Sequence, residues 1–316
     1  MGFSLITGLD IGHHSIKALV IKPNKQGITL AGYQQLSMET DIFSDNCTLN
    51  HQKIVKKLKE LRKALPPFSR KVAISVADKL VISKVIQIDS ELDPSEHHFA
   101  ILQAFGRQAP VEVEQLALDY QRLPDQEPVP RWLNYQVYAT RKGLIDSSLD
   151  WLRQAGWQPQ LLDCASHGLM ALLVQASRTY STLDWALCDI DQHQARLCAV
   201  LPGGQSYYKS WSLPPSNADA LEDIEPVASR LEQQLQLLRS VHSRLSGGVW
   251  LTGNYARLDR LAQRIHRSDR PCQRLDPFEL FPLAKKLQVP SAGAGFSIAA
   301  GIALRGLNWQ EHSHGR

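Results

Sequence analysis

The chain has 316 residues, of which 43% are hydrophobic and 21% charged, a composition typical of a globular protein long enough for two domains or lobes. Its net charge of +4 is small and dispersed, which favours a solvated surface over a patch that binds nucleic acid directly. Its five cysteines include no Cys-x-x-Cys pair, which argues for reduced thiols and against a zinc site.

No apolar run approaches the ~18 residues that a membrane span needs. The N-terminus also lacks the pattern of a secretory signal peptide. We therefore expect a cytoplasmic protein without direct membrane insertion, any membrane attachment of which comes through a partner.

The first 78 residues begin with strands. The elements predicted there are, in order, a strand that ends at Leu9, strands Ile16–Lys22 and Ile28–Ser37, a helix that ends before Pro66, and strand Val72–Val76. Residues 79–157 have a different rhythm and predict a small α+β module. Its predicted elements are strand Val81–Ile88, a helix that begins near Asp93, strands Leu116–Leu123 and Trp132–Ala139, and helix Leu144–Ala155.

A short strand at Leu161–Asp163 and a helix at Gly168–Ala176 follow, and then the opening pattern returns. The elements predicted for the rest of the chain are strands Trp185–Ile190, Ala195–Leu201 and Gln205–Ser212, a long helix whose apolar run from Leu221 to Leu245 is broken by Pro226 and His242, strand Val249–Thr252, helix Leu258–Ile265, strand Cys272–Leu275 and helix Ser297–Leu307. The long helix fits its own sheet better than a coiled-coil seam, so we expect a monomer or weak dimer.

The repeated order predicts a duplicated α/β fold with two lobes. Residues 1–78 and 158–180 form the first lobe, 79–157 an inserted α+β module, 181–307 the second lobe, and 308–316 a polar, flexible tail. Small residues in the closing helix predict close packing in the core.

The sharpest motif is the first predicted hairpin. Asp10 ends a buried strand, and Gly12 allows a tight turn with positive φ and close approach of the backbone. Ser15 and Lys17 follow, and their hydroxyl and ammonium groups suit a phosphate. An aspartate at this position can also hold water around Mg²⁺. An ordinary β-hairpin with a common Asp/Gly turn is the alternative.

His13 and His14 occupy the tip of this hairpin. Adjacent histidines in a tight turn point apart and seldom chelate one metal ion. We expect donors that face solvent or phosphate, and we assign no metal site.

A second hairpin repeats the pattern far downstream. Asp189 ends its first strand, but Asp191 stands where a glycine would let a phosphate approach. A carboxylate there repels a triphosphate by a few kcal/mol at an effective dielectric of about 20, unless a divalent ion offsets it. The turn Thr252-Gly253-Asn254 ends a later strand and can lie against a base or ribose, although such turns are common.

The sequence contains none of the Gly-x-Ser-x-Gly, His-Glu-x-x-His or Gly-x-x-x-x-Gly-Lys patterns, so we assign no catalytic residue. Asp163 ends the short connecting strand, where a general base could stand, but its neighbours in sequence offer no partner group.

Taken together, these residues resemble the actin-like (ribonuclease H-like) nucleotide-binding superfamily and, within it, the PilM/HofM family of type IV pilus assembly. The resemblance covers about residues 5 to 305. The segments that carry it are Gly8–Gly12 with Ser15–Lys17, Val72–Val76, Val81–Ile86, Ala117–Tyr120, Val137–Lys142, Leu161–Asp163, Leu251–Gly253 and Ala299–Arg305.

The resemblance implies a scaffold at the inner membrane of a type IV pilus or DNA-uptake machine. Such proteins hold the cytoplasmic N-terminal peptide of a PilN-like single-span membrane protein, in a groove that involves the inserted module. Strand Val81–Ile88 is our candidate for that groove. The resemblance also implies ATP and Mg²⁺ as ligands. His13, His14, Asp191 and Asn254 depart from the family pattern, so we expect weak ATP binding or none.

Two alternatives remain open. An ATPase or small-molecule kinase of the same fold would show Mg²⁺-dependent turnover that requires Asp10. A membrane-anchored, filament-forming relative would carry a C-terminal amphipathic helix, whereas Asn308–Arg316 is almost entirely polar.

Overall fold

The computed structural model describes residues 4–12, 14–25, 27–38, 51–109, 111–124, 131–213, 224–242, 245, 247–266, 271–285, 287–289 and 293–313. Among the residues singled out above, His13, Leu221 and residues 314–316 of the expected tail lie outside these ranges. The chain forms two compact units, one made of Met1–Ser75 and Ala155–Arg316 and the other of Val76–Gln154.

The described strands are β1 (Ile6–Ile11), β2 (Ser15–Asn24), β3 (Gly27–Ser37), β4 (Lys71–Val76), β5 (Ile82–Asp89), β6 (Leu116–Arg122), β7 (Trp132–Arg141), β8 (Gln158–Cys164), β9 (Trp185–Ile190), β10 (Gln194–Val200), β11 (Ser206–Ser212), β12 (Gly248–Thr252) and β13 (Cys272–Arg274). The described α-helices are α1 (His51–Ala64), α2 (His97–Gly106), α3 (Lys142–Gln154), α4 (Ala165–Tyr180), α5 (Glu225–Val241), α6 (Leu258–His266) and α7 (Ser297–Ser313).

The first unit contains, within the described residues, two five-stranded sheets with matching topology. Their strand orders are β3-β2-β1-β4-β8 and β11-β10-β9-β12-β13. In each sheet a hairpin continues into a third antiparallel strand, and the first strand pairs in parallel with a later one. The order of strands and helices that repeats along the sequence therefore corresponds to two sheets with the same spatial order of strands.

Helices α4 and α7 pack in the core of this unit through glycine, as the small residues of the closing helix predict. A Cβ atom on Gly301 of α7 would lie 1.9 Å from the carbonyl oxygen of Gly168 on α4. A Cβ atom on Gly8 of β1 would lie 2.0 Å from the carbonyl oxygen of Ala299 on α7. The helices and the sheet thus meet backbone to backbone, and larger side chains at these positions would separate them.

The expected flexible tail is wrong for residues 308–313, because α7 continues to Ser313. Gln310 is buried and accepts a hydrogen bond at 3.0 Å from the Ser4 hydroxyl at the start of the chain. Polar residues can therefore belong to the folded unit when a distant segment supplies their partner.

Helix α5 buries its leucine stripe against its own sheet and α6, which is the arrangement preferred from the sequence. Helix α5 begins at Glu225 and ends at Val241, so the described helix is bounded by the two residues, Pro226 and His242, that interrupt the apolar run in the sequence. Pro226 lies in the first turn of α5, where its missing N–H costs no hydrogen bond within the helix.

The second unit is a three-stranded antiparallel sheet in the order β5-β7-β6, with α2 packed against β5. Its core includes Ile86, Ile101, Phe105 and Val137. This unit ends at Gln154, before the predicted boundary at residue 157. Ala155 and Trp157 belong instead with α1 of the first unit, where Ala155 accepts from Arg62 at 3.0 Å and Trp157 donates to Leu58 at 3.3 Å.

None of the helices in the described part of the chain has the length and sustained hydrophobicity needed to cross a bilayer.

Candidate functional site

The first hairpin brings Asp10 and Lys17 face to face, because they are register partners in the β1–β2 pair. Asp10 also accepts a hydrogen bond at 2.7 Å from the Ser75 hydroxyl at the end of the neighbouring strand β4. Burial raises the pKa of Asp10, and the Ser75 hydrogen bond and the charges of Lys17 and Arg196 offset this only in part. The Asp10 carboxylate is therefore held at an energetic cost, as is common where function constrains a charge.

Lys17 is buried and points towards the second half of the unit. Its ammonium donates to the carbonyl oxygen of Gly295 at 2.7 Å and lies 5.9 Å from the centre of the Phe296 ring. A Cβ atom on Gly295 would lie 2.9 Å from the Lys17 Nζ atom, so the glycine leaves room for this contact. Burial lowers the pKa of Lys17, against the opposing charges of Asp10 and Asp189.

The second hairpin places an acidic and a basic residue opposite each other at the same positions as the first hairpin. Asp189 and Arg196 are register partners in the β9–β10 pair, as Asp10 and Lys17 are in the first. Arg196 Nη1 donates to Asp189 Oδ2 at 2.7 Å, and the Ser297 hydroxyl at the start of α7 donates to Asp189 Oδ1. Both carboxylate oxygens of this buried aspartate are therefore occupied.

Asp191 closes the second turn with its side chain. Its Oδ1 atom accepts from the backbone amides of His193 at 2.8 Å and Gln194 at 2.9 Å, and its Oδ2 atom lies 3.3 Å from Arg196 Nη1. Burial alone would lower the pKa of Arg196, but the charges of Asp189 and Asp191 outweigh it and raise that pKa.

This geometry corrects the expected role of Asp191. The sequence predicts a bare carboxylate that repels phosphate unless a divalent ion offsets it. The structure shows Arg196 offsetting the charge from within the protein. The obstacle to phosphate is occupancy, because the Asp191 carboxylate already binds the turn amides that a phosphate oxygen would need.

The tips of the two hairpins touch. His14 and His193 hold the same position in their respective turns, and their Nε2 atoms lie 3.3 Å apart. Their ring centres are 5.6 Å apart, with the ring planes tilted by 41°. Residues 295 to 297 also link the two acidic hairpins, because Gly295 accepts from Lys17 of the first hairpin and Ser297 donates to Asp189 of the second.

At Gly253, in the turn after β12, the backbone conformation excludes any residue with a side chain. Its φ is +107°, and a Cβ atom there would lie 2.3 Å from the carbonyl oxygen of Ile190 at the end of β9. Its amide donates to Ala294 at 3.0 Å. The turn after β12 is thus packed against the base of the second hairpin and holds it in place.

The expected positive φ at Gly12 is wrong. Gly12 lies outside the positive-φ region, and a Cβ atom there would make only an ordinary contact, at 3.4 Å from the Ser15 carbonyl oxygen. Asn254, in the turn after β12, is exposed and also lies outside that region. Ser15 contributes its backbone, because its carbonyl accepts from the Gly12 amide at 3.0 Å.

Asp163 has partners that its local sequence does not reveal. His167 Nδ1 lies 2.6 Å from Asp163 Oδ1, and Arg305 Nε on α7 donates to Asp163 Oδ2 at 2.6 Å. Burial pushes the pKa of Asp163 upwards, but the hydrogen bonds and charges of His167 and Arg305 outweigh it and lower that pKa.

The structure therefore gathers Asp10, Lys17, Asp189 and Asp191 around one cleft. It adds Arg196, Ser75, Ser297 and His193, which the motifs did not single out. One signal in the sequence could have revealed Arg196, since it follows Asp189 by the same interval as Lys17 follows Asp10.

The residues of the second hairpin do not fit the Mg²⁺–triphosphate group that the resemblance implies. Such a group needs unoccupied amide donors and a carboxylate available to metal-bound water. Here the amides of His193 and Gln194 bind Asp191, and the oxygens of Asp189 bind Arg196 and Ser297.

Comparison with solved structures supports the architecture. A chain from a structure described as "PilM-PilN type IV pilus biogenesis complex" matches with a TM-score of 0.71 and 20% identity, over 96% of this chain and 98% of that chain. The cytoplasmic domain of EpsL, an inner-membrane component of the type II secretion system of Vibrio cholerae, matches with a TM-score of 0.47 and 9% identity, over 96% and 95% of the two chains.

The ethanolamine utilization protein EutJ from Carboxydothermus hydrogenoformans matches with a TM-score of 0.46 and 14% identity, over 96% and 90% of the two chains. The EpsL and EutJ similarities are weak and carry no argument about function. The predicted actin-like α/β fold is confirmed. No curated protein matches the sequence significantly.

The family model described as "Type IV pilus assembly protein PilM" matches residues 8–210. This range contains all but the first two residues of the first hairpin, the whole second unit and the second hairpin. The match covers more than half of the 316 residues, and the chain belongs to the PilM family of type IV pilus assembly proteins.

Proposed function

We propose that this chain is a non-enzymatic scaffold that binds the cytoplasmic N-terminal peptide of a PilN-like membrane protein, in a type IV pilus or DNA-uptake machine. The observation that carries the proposal is the family membership. The similarity in fold to a chain of a PilM–PilN complex adds support. In this proposal the protein works in the cytoplasm and stays at the inner membrane through its partner.

The cleft supports a scaffold more than an ATPase or kinase. Its charged groups already have partners within the protein: Arg196 pairs with Asp189, and the Lys17 ammonium donates to the carbonyl oxygen of Gly295. Asp163 is the other carboxylate considered as a base, and its lowered pKa makes it a weak base and suits an ion pair with Arg305. We therefore propose that the cleft is a degenerate nucleotide site that links the two halves mechanically.

We place the peptide on the outer edge of strand β5. Among the described strands β5 pairs with β7 alone, which leaves its other edge available to a further strand in this part of the chain. Val85 is 51% exposed there, and a cavity of about 390 Å³ beside it is lined by Val85, Gln87, Gln108 and Trp132. Backbone hydrogen bonds along an edge supply affinity, and such a cavity supplies a pocket for one side chain of the peptide.

The test is fluorescence anisotropy of a labelled peptide that copies the cytoplasmic N-terminus of the PilN-like protein from the same genome. We expect saturable binding to the full chain, and no binding of a scrambled peptide of equal composition. An absence of binding at high micromolar concentration would contradict the proposed function.

Two variants then test the location. Val85→Glu and Trp132→Ala should each weaken peptide binding by about tenfold or more, because they remove apolar contacts at the cavity. Phe99→Ala is the matched control, because Phe99 is also exposed but lies on helix α2. Equal affinities in all of these proteins would overturn the location and leave peptide binding itself intact.

A further inference from the structure

We propose that His14 and His193 form a binding site for a divalent transition-metal ion such as Zn²⁺, at the point where the two hairpin tips meet. The ion would be held by one imidazole from each half of the duplicated unit. Adjacent His13 and His14 offer no such site by sequence, whereas the fold brings His14 to a histidine that is 179 positions away.

The distance between the two nitrogens fits a shared ion. Zinc binds imidazole nitrogen at about 2.0–2.1 Å in tetrahedral geometry, so two such ligands of one ion lie about 3.3–3.4 Å apart. The Nε2 atoms of His14 and His193 are 3.3 Å apart. The same contact is a hydrogen bond between the two rings, whose centres lie 5.6 Å apart, so the nitrogens face each other and the rings would turn slightly to share an ion.

Both histidines are held by equivalent backbone contacts. The carbonyl oxygen of His14 accepts from the Met38 amide at 2.8 Å, and that of His193 accepts from the Leu213 amide at 2.7 Å. The His193 amide is also bound by the Asp191 carboxylate. The backbone of both ligands is therefore fixed before an ion arrives, which reduces the entropy lost on binding.

The site is open to solvent, since both imidazoles are exposed. An ion can enter, and water can complete its coordination. Imidazole is a ligand that Zn²⁺, Cu²⁺ and Ni²⁺ share, whereas Mg²⁺ prefers oxygen, so the site should discriminate against Mg²⁺. A bound ion would tie the first hairpin to the second and stiffen the contact between the two halves.

A second group of metal-binding residue types lies elsewhere, at Asp163, Cys164 and His167. Arg305 already pairs with Asp163, which disfavours a cation there. This group must nevertheless be separated from the histidine pair by experiment, and its cysteine makes that possible.

The experiment titrates Zn²⁺ into the full chain in competition with a chromophoric chelator, and records the absorption spectrum with Co²⁺. We expect His14→Gln and His193→Gln each to weaken the Zn²⁺ affinity by about tenfold or more. His98→Gln is the matched control, because His98 is an exposed histidine of the other unit, bonded to Tyr120. It should leave the affinity unchanged, and the Co²⁺ spectrum should lack a thiolate band.

Zn²⁺ affinity unchanged by both His14→Gln and His193→Gln would overturn the proposal. Loss of binding only in His167→Gln, with a thiolate band in the Co²⁺ spectrum, would also overturn it by assigning the ion to Cys164. Circular dichroism of each variant checks that it is folded. The proposal does not depend on peptide binding, so either can fail alone.

Discussion

Arg196 lies directly opposite Asp189 in the second hairpin, and its Nη1 atom donates to Asp189 Oδ2 at 2.7 Å. The two side chains are only 12% and 3% exposed. The first hairpin has a lysine, Lys17, opposite Asp10. The chain therefore neutralises the buried negative charge of the second hairpin with an arginine, and this ion pair leads to the first prediction.

Arg196→Met should destabilise the protein by about 3–5 kcal/mol, because it leaves the buried Asp189 and the neighbouring Asp191 without their cation. Urea unfolding followed by circular dichroism measures this loss. Arg264→Met is the matched control, since Arg264 pairs with Glu225 at the surface, where solvent screens the pair, and its loss should cost much less. Equal losses in the two variants would show that the Arg196 pair contributes no more than a surface ion pair.

Asp191→Gly should allow the cleft to bind ATP·Mg²⁺, because it frees the amides of His193 and Gln194. The measurement is the shift in melting temperature on adding ATP·Mg²⁺, relative to each protein without nucleotide. The wild-type protein should show no shift. Asp191→Asn is the matched control, because asparagine removes the charge and keeps an oxygen that can accept from the same amides.

A shift for Asp191→Asn as large as for Asp191→Gly would mean that charge, and not occupancy of the amides, blocks the nucleotide. A clear shift for the wild-type protein would contradict the degenerate site.

Gly253→Ala should destabilise the protein by about 2 kcal/mol or more, since a side chain at φ +107° is strained and its Cβ would meet the Ile190 carbonyl at 2.3 Å. Gly12→Ala should cost about 1 kcal/mol or less, because Gly12 avoids positive φ and its Cβ would make only an ordinary contact. Denaturant unfolding compares the two. A larger loss for Gly12→Ala would reverse this assignment of the glycine that the cleft requires.

Asp10→Asn should stabilise the protein at neutral pH. The pKa of Asp10 is raised in the folded state, mainly by burial, so the folded protein is more stable with Asp10 protonated than with Asp10 ionised. The wild-type protein therefore loses stability as the pH rises through the folded pKa of Asp10. Asparagine cannot ionise and can still accept from Ser75. The gain should vanish below about pH 3.9, the usual pKa of an aspartate. Melting temperatures measured across this range test the sign, and a loss of stability at pH 7 would contradict it.

Asp163→Asn provides the opposite case. The pKa of Asp163 is lowered in the folded state, because His167 and Arg305 together outweigh the effect of burial. The ionised Asp163 stabilises the folded protein at pH values above the usual pKa of an aspartate. This stabilisation is lost as the pH falls through the lowered pKa that Asp163 has in the folded state. The variant should therefore be less stable at pH 7 by about 1–3 kcal/mol, with a difference that shrinks in acid. A constant difference at all pH values would rule out this linkage.

Strand positions could be read from local pattern, because alternation of buried and exposed side chains is a property of neighbouring residues. Trp185–Ile190 is predicted with the bounds that the structure shows for β9, and Leu116 is the predicted and observed start of β6. The acidic ends of the two hairpins were also evident, since Asp10 and Asp189 each follow an apolar run.

The partners of those acids were not evident, because they come from distant parts of the chain. Ser297 donates to Asp189 from 108 positions away, and Lys17 donates to Gly295 from 278 positions away. The same holds for Gln310, whose contact with Ser4 turns an expected tail into the end of a helix. Local hydrophobicity determines which segments become strands and helices. Which charges are neutralised, and which amides stay open to a ligand, depends on how the two halves close on each other.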